Sequence, residues 1–386
     1  MGGERKLRIL ISASGYFPAQ NYGGPPVSIR NFCKLIEDDF ECYIITRDHE
    51  YNRKGRLEGI GYGWQSISNY KVLYLSKNEH TLSKYKKILD EVSPDWIYIN
   101  SFFDARFTLP LLICGRQFHV PCLIAPRGEF APQALSRKKL KKKPYILLFQ
   151  KLFTNSLVWY HAASSIEKKD ILRNIKHEEN HVVVLPNVPS APRQIEVKKG
   201  KQQGKLHIIY LARITPVKNL SYALDVIRNL RGDITLNIYG PIESKKYWEE
   251  CKSKINNLPQ NIKTNYRGEL QHKEIYKVLR ENELLFLPSL MESYSQSIAE
   301  ALYAGLPVIT SDCTPWRELE VRKCGYSGSL EDTHEFIEWM QKFVDMSDEV
   351  FQVWSNNAIE YVIAKSDASR TKRMYLSFFN MFGNDL

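Results

Sequence analysis

The chain has 386 residues, 43% of them hydrophobic and 25% charged, with 54 Lys and Arg against 43 Asp and Glu for a formal charge of +11. That length exceeds the ~250 residues at which single cores stop growing, so two domains are expected, and no apolar run approaches the ~20 residues that cross a bilayer. The seven cysteines (33, 42, 114, 122, 251, 313 and 324) are scattered and never form C-x-x-C; this argues against a disulfide framework or a zinc site and for small buried side chains in a reducing cytoplasm.

The opening "MGGERKLRILISAS" passes from a charged lead straight into an apolar strand, without the apolar core and small-residue cleavage site of a secretory signal, so a cytoplasmic location is expected. Strands rich in β-branched and aromatic residues follow: "LRILISAS" (7–14), "ECYIITRD" (41–48), "KVLYLS" (71–76), "DWIYINS" (95–101), "PCLIAP" (121–126), "LVWYHAAS" (157–164) and "HVVVLPN" (181–187). Amphipathic stretches such as "PVSIRNFCKLIEDD" and "TLSKYKKILDEV" lie between some of them, the pattern of a parallel sheet covered by helices. After the first strand, Gly23 and Gly24 permit close backbone approach to a ligand or simply a flexible turn, ahead of a helix beginning at Pro25 or Pro26.

The stretch 136–153, "SRKKLKKKPYILLFQKLF", concentrates six basic residues before a helix that opens with Pro144. It reads as a solvated face, as a patch for an anionic membrane surface with Tyr145, Leu148 and Phe149 at the interface, or, with no recognition module beside it, least well as a nucleic-acid site. His161 is either a hydrogen-bonded core histidine or a site residue. The polar segment 191–205 reads as a linker, which bounds a first domain over 1–190 and a second over 206–365. The amphipathic helix at 366–386 is expected to complete the first domain.

The second half alternates again: strands over 206–213, 234–240, 262–268 and 284–289, with helices through "NLSYALDVIRNL", 245–256 and 272–281. Ligands of open α/β sheets bind at the carboxyl ends of strands, so in a two-domain form the inter-domain cleft is the expected site. In "LPSLMESYSQSIAEALYAGLPVIT", Glu292 follows the strand in a loop, Ser293 or Ser295 caps a helix, and Glu300 lies inside it. Amides of Tyr294, Ser295, Gln296 and Ser297 at that helix start suit a phosphate. Glu300, ~7 Å along the axis, suits a ribose diol, and Glu292 suits hydroxyls at the other end of the diphosphate. By themselves two glutamates at this spacing also fit one solvated loop acid and one helix-surface acid. Arg213 at a strand end and Lys218 five residues on add cations that can neutralise a leaving diphosphate.

The ordered set Arg213-x4-Lys218-Asn219, Gly240 in "LNIYGP", Gly268-Glu269-Leu270 in "YRGEL", Pro288-Ser289, E-x7-E and "AGLPVITSD" resembles the donor-binding half of the family 4 retaining glycosyltransferases. "DCTPWREL" and "IAPRGEFAPQAL" resemble their bacterial surface-polysaccharide branch. The resemblance implies a GT-B fold, two Rossmann-like doubly wound α/β domains facing a central cleft. It also implies sugar transfer from a nucleotide diphosphate sugar, UDP-linked before GDP-linked, to a glycan or lipid-linked acceptor in capsule or lipopolysaccharide synthesis. Carried over, Arg213, Lys218 and Glu292 are catalytic, and Gly23, Gly24, Gly240, Gly268, Glu269, Leu270, Tyr294 to Ser297 and Glu300 bind the donor. Where the wider family has His-Gly this chain has Arg127-Gly128, so Arg127, with His161, is a candidate for the acceptor side. No D-x-D occurs, so no metal or other cofactor is expected, and the two cations take the metal's place. The expected location is cytoplasmic, with the 136–153 patch as the segment for peripheral attachment to the inner face of the membrane. The alternatives are a GT-B epimerase or hydrolase acting without acceptor and a basic nucleic-acid binder. A nicotinamide enzyme is disfavoured because no G-x-G-x-x-G follows the first strand.

Overall fold

The computed structural model describes residues 5–19, 22–51, 53, 55–136, 139–188 and 200–382. The chain divides into two compact units, Met1–Val188 with Ala368–Leu386, and Pro189–Asp367.

Among the described residues, the first unit holds an eight-stranded sheet in the order β3-β4-β2-β1-β5-β6-β7-β8. Its strands are β1 (Leu7–Ala13), β2 (Phe40–Arg47), β3 (Trp64–Ile67), β4 (Tyr70–Leu75), β5 (Trp96–Asn100), β6 (Cys122–Ala125), β7 (Val158–Ala162) and β8 (Val182–Val184). All pairings are parallel except β3 with β4. Strand alternation feeds two cores: Leu10, Ile97 and Ile99 point to one face, while Ile9, Ile11, Trp96 and Tyr98 point to the other. Helices α1 (Pro25–Leu35), α2 (Leu82–Val92), α3 (Ala105–Phe118), α4 (Pro132–Ser136), α5 (Lys139–Phe153) and α6 (Ser165–Asn174) connect the strands.

The second unit holds, among the described residues, a six-stranded parallel sheet in the order β11-β10-β9-β12-β13-β14. Its strands are β9 (Lys205–Leu211), β10 (Asp233–Tyr239), β11 (Ile262–Tyr266), β12 (Leu284–Leu287), β13 (Val308–Ser311) and β14 (Gly325–Gly328). They alternate with α7 (Leu220–Ile227), α8 (Lys245–Asn256), α9 (Ile275–Arg280), α10 (Gln296–Tyr303), α11 (Thr333–Asp345) and α12 (Asp348–Lys365). The chain winds outward from β9 through β10 to β11, then crosses to β12 on the other side. The β9/β12 junction is therefore the topological switch point.

Helix α13 (Ala368–Phe379) packs into the first unit, with Tyr375, Phe378 and Phe379 buried in one of its cores. Three local readings change. Helix α5 begins at Lys139 and runs through Pro144, which lies inside it instead of opening it. The missing N–H frees only the Leu140 carbonyl, on a turn where Leu140 is itself exposed and water can hydrate that group. Of the expected linker, 191–199 lies outside the described residues, whereas 200–204 packs on the second unit. Gly200 and Lys201 donate their amides to Asp348, at 2.9 and 3.0 Å, and the buried Lys201 ammonium donates to the Gln202 carbonyl at 2.8 Å. Strands β3 and β14 carry no sequence signal strong enough to predict them.

Candidate active site

At the switch point the loops after β9 and β12 are tied together. The Leu290 amide donates to the Val217 carbonyl at 2.8 Å, and the Tyr210 hydroxyl, from β9, donates to the Lys218 carbonyl at 3.0 Å. Lys218 ends a single 3-10 turn, Pro216–Lys218, and Asn219 (φ 59°) then turns the chain into α7. This geometry delivers the Lys218 ammonium to Glu292, Nζ to Oε1 2.5 Å, with both side chains largely withdrawn from water. The Ser289 hydroxyl donates to the same carboxylate oxygen at 2.9 Å, and the Glu292 amide donates to the Cys313 carbonyl after β13 at 3.0 Å. Glu292 is therefore fixed by three contacts, not a solvated loop acid.

Helix α10 starts beside this pair. Ser295 holds its cap position at φ 68°, and its hydroxyl caps no amide. By contrast α8, α11 and α12 are capped by the side chains of Ser244, Asp332 and Ser347. The cap expected from Ser293 or Ser295 is thus not made by a side chain: Ser295 enters the helix at a positive φ and not in the extended backbone that side-chain N-caps use. Gln296 and Ser297 form the first turn, and Tyr294 is held by its ring against Trp316, centroids 5.4 Å apart. Glu300, one turn further in, is 3% exposed, with His272 Nδ1 3.8 Å from its Oε1. A helix-surface acid would be solvated; this one is not.

Arg213 leaves the end of β9 and pairs with Glu243 after β10, Nη1 to Oε1 2.5 Å, across the bridge that Ile214 makes with Ile242. The two expected cations are thus each matched to a carboxylate, and each keeps donors to spare: the guanidinium has five N–H groups and the ammonium three. Gly240 stands where these loops nearly touch; at φ 138° a Cβ would lie 1.9 Å from the Ala212 carbonyl oxygen. Gly268, whose carbonyl accepts the Gly240 amide at 2.8 Å, needs its glycine for φ 73° alone. Glu269 beside it is exposed and Leu270 packs on the core.

In the first unit, Gly23 has φ 75° and Gly24 caps α1 without a side chain. Arg127 does not stand free. It donates to Asn100 Oδ1 at 3.1 and 2.7 Å, to the Tyr98 hydroxyl at 2.9 Å and to Asn187. The Tyr98 hydroxyl in turn donates to His161 Nδ1 at 2.6 Å, and His161 Nε2–H donates to the Leu185 carbonyl at 2.7 Å. Burial, and then the Arg127 charge, push the His161 pKa down to about 3, so its imidazole is neutral and both nitrogens are used. His161 is a core histidine.

Sequence reasoning named Ser289 in the ordered set without giving it a role, and passed over Glu243 and a second cluster. In the first unit, at the ends of β2, β1 and β5, Arg47 grips Asp104 through Nη2 at 2.6 and 2.7 Å, and the Ser14 hydroxyl donates to Asp104 at 2.5 Å. Glu129 clamps the adjoining loop by accepting from the Ser101 hydroxyl at 2.7 Å and from the amides of Phe102 and Phe103 at 2.5 and 3.2 Å. Position at a strand's carboxyl end is the signal that would have found them. Among the described residues, no group of three His, Cys, Asp or Glu side chains could hold a metal ion, and no helix is long and apolar enough to cross a membrane.

Residues 192–361 match the family model described as glycosyl transferases group 1. The chain is 26% identical over 225 residues to a Klebsiella pneumoniae protein named "Uncharacterized 41.2 kDa protein in cps region", a match that spans 53% of this chain and 57% of that one. It is 22% identical over 373 residues to the Escherichia coli UDP-Gal:alpha-D-GlcNAc-diphosphoundecaprenol alpha-1,3-galactosyltransferase, covering 87% of this chain and 88% of that protein. The crystal structure of Anabaena Alr3699/HepE in complex with UDP and glucose superimposes with a TM-score of 0.71 at 12% identity, covering 97% of this chain and 99% of that one.

Proposed function

We propose that this glycosyltransferase, whose residues 192–361 form a group 1 domain on a GT-B fold, moves a sugar from a UDP-sugar to a lipid-linked glycan acceptor in surface-polysaccharide synthesis, with retention at the anomeric carbon. The observation that carries the reading is the Lys218–Glu292 pair, held at 2.5 Å on the strand switch point beside the start of α10. In this reading the diphosphate lies against the first turn of α10 and meets the remaining donors of Lys218 and Arg213. Glu300 accepts from the ribose hydroxyls and Glu292 from the donor sugar. The first unit holds the acceptor.

The bond between the anomeric carbon and the diphosphate oxygen lengthens, and its electron pair leaves with UDP. The acceptor hydroxyl oxygen bonds to the same face of that carbon, and its proton passes to the departing diphosphate oxygen. The two cations and the helix amides stabilise the charge that builds on the leaving group, the role for which no metal is invoked. The UDP choice is supported by the E. coli and Anabaena proteins, whose names carry UDP. A lipid-linked acceptor brings the reaction to a membrane surface, and the lysine-rich α5 is the segment proposed to meet it.

Two measurements test the reading. The anomeric coupling of the product by NMR should match that of the donor; inversion would overturn the front-face mechanism. Titration with UDP lacking the sugar should show Glu300→Ala binding about tenfold to a hundredfold more weakly, the worth of a hydrogen-bonded charged group. An unchanged affinity would remove Glu300 from the ribose site. Rapid turnover of donor alone, equal with and without acceptor, would favour a hydrolase or epimerase.

A further inference from the structure

Helix α5 is apolar on two opposite sides. On one, Ile146, Phe149 and Phe153 are buried in the first unit's core, and the Phe149 ring lies 4.4 Å from that of Phe102. On the other, Leu140, Leu147, Leu148 and Leu152 are 91, 68, 58 and 49% exposed. At 3.6 residues per turn Leu140, Pro144, Leu147 and Leu148 form one outward stripe with Lys151 along its middle, Lys141 and Lys143 fall on its two flanks, and Leu152 lies at the edge beyond Lys141. Lys141, Lys143 and Lys151 are all exposed, whereas Lys142 is drawn back to the Ala134 carbonyl at 2.7 Å and lies over the Phe103 ring. The segment 139–153 contains no acidic residue. Isolated exposed leucines are ordinary; four on the outward side of one helix, interspersed with lysines and without any carboxylate, are not.

We infer that the outward face of α5 inserts into the interface of an anionic lipid bilayer, with Leu140, Leu147, Leu148 and Leu152 among the acyl chains and Lys141, Lys143 and Lys151 at the headgroups. The inference rests on the lipid-linked acceptor proposed above and deepens it, since attachment is by insertion of an apolar stripe and not by charge alone. Charge complementarity selects the occupant. A nucleic acid would be met by the lysines but leave the leucines in water, whereas a bilayer interface satisfies both, the long lysine stems reaching out along the apolar face. The buried face anchors the helix to its own core, so the leucines are presented preformed and no folding accompanies binding.

The experiment is flotation of the full chain with vesicles of phosphatidylcholine containing about one-third phosphatidylglycerol, at low salt and again at a salt concentration that screens surface charge. The wild-type chain should float at low salt and retain a measurable bound fraction at high salt. Leu147→Ser with Leu148→Ser should lower the partition coefficient by about tenfold at both salts, with an unchanged melting temperature. Lys141→Ser with Lys143→Ser should weaken binding at low salt only. Equal flotation of wild type and the leucine variant would overturn insertion. So would a concentration-dependent dimer that the leucine variant abolishes, or binding to a duplex oligonucleotide in place of vesicles. Transfer to a water-soluble acceptor should be the same for the leucine variant and wild type, so that loss of membrane binding is read apart from loss of chemistry.

Discussion

Lys218 and Glu292 cancel one another's charge before any ligand arrives, and this decides how each should respond to substitution. The pair keeps the ammonium at one place, so donor binding requires no further ordering of a flexible side chain. Lys218→Ala should lower kcat about a hundredfold or more, the typical cost of one preorganised donor to a leaving group, and a thermal-shift titration should show weaker UDP binding as well, because the diphosphate loses the ammonium and faces an unpaired Glu292. Lys218→Arg should not rescue turnover, because a planar guanidinium cannot reproduce a point contact in this confined loop; recovery with Arg would reduce the role to bulk charge. Glu129 makes the corresponding case in the first unit. Burial raises its pKa to about 7, against the hydrogen bonds from Ser101, Phe102 and Phe103 that favour the charged form. The folded state therefore holds this proton more tightly than the unfolded chain, and the preference stabilises the fold at acid pH. That contribution is lost as pH rises from the ordinary carboxylate range through about 7. Chemical denaturation from pH 5 to 8 should show wild type losing on the order of 2 kcal/mol relative to Glu129→Gln. Parallel curves for the two proteins would refute the assignment.

At the level of the element, glycines separate what the fold requires from what a ligand requires. Gly240→Ala drives a Cβ to within 1.9 Å of the Ala212 carbonyl oxygen at φ 138°, so it should destabilise the second unit by roughly 3 kcal/mol or more. Gly268→Ala meets nothing within 4 Å and bears only the φ of 73°, at a cost of about 1 kcal/mol. Urea midpoints of the two variants check the contrast, and similar midpoints would mean that the β9–β10 loops part more easily than their packing implies. The same glycine chemistry explains where sequence reading failed. Strand β14 is Gly-Tyr-Ser-Gly, which reads as a turn; it pairs with β13 because Gly325 allows the backbone to approach Val308 more closely than a Cβ would permit. Strand β3 is a four-residue antiparallel edge, seated by Trp64 against Tyr43 at 5.4 Å, a contact between residues far apart in the chain. The buried parallel strands were legible because two-sided burial demands continuous apolar runs. For the proposed site, Arg213, Lys218, Glu292 and Glu300 stand in the sequence as residues with an order and spacing. Their pairing is not legible there: that Lys218 meets Glu292 and Arg213 meets Glu243 depends on strand order β10-β9-β12, which local periodicity does not encode.

On the scale of the whole molecule, the two compact units do not follow a single cut in the chain. Helix α13 leaves the second unit's sequence and returns to the first, where Trp96 Nε1 donates to the Phe379 carbonyl at 3.0 Å and Tyr375 donates its hydroxyl to the Pro186 carbonyl at 3.2 Å. The Tyr375 and Phe32 ring centroids are 4.9 Å apart, and Phe378 packs on Trp96 at 5.0 Å. Removing α13 would expose three large aromatic side chains' worth of contact surface on the β1–β5 face, with each such loss costing about 3–5 kcal/mol, together comparable to the whole stability of an ordinary domain. The second unit gives up no core residue in the same cut, since its own buried cluster ends at Val362. Two truncations therefore have opposite expected outcomes. A chain ending at Asp367 should show one lost melting transition, that of the first unit. A fragment spanning 189–367 should fold alone and, on the proposed donor site, bind UDP as the full chain does, because Lys218, Glu292, Glu300 and Arg213 all lie within it. Calorimetry of the first and UDP titration of the second check this. A truncated chain that melts like the intact one would show that α13 is not part of the first core, and a folded fragment without UDP affinity would move the donor site off this sheet.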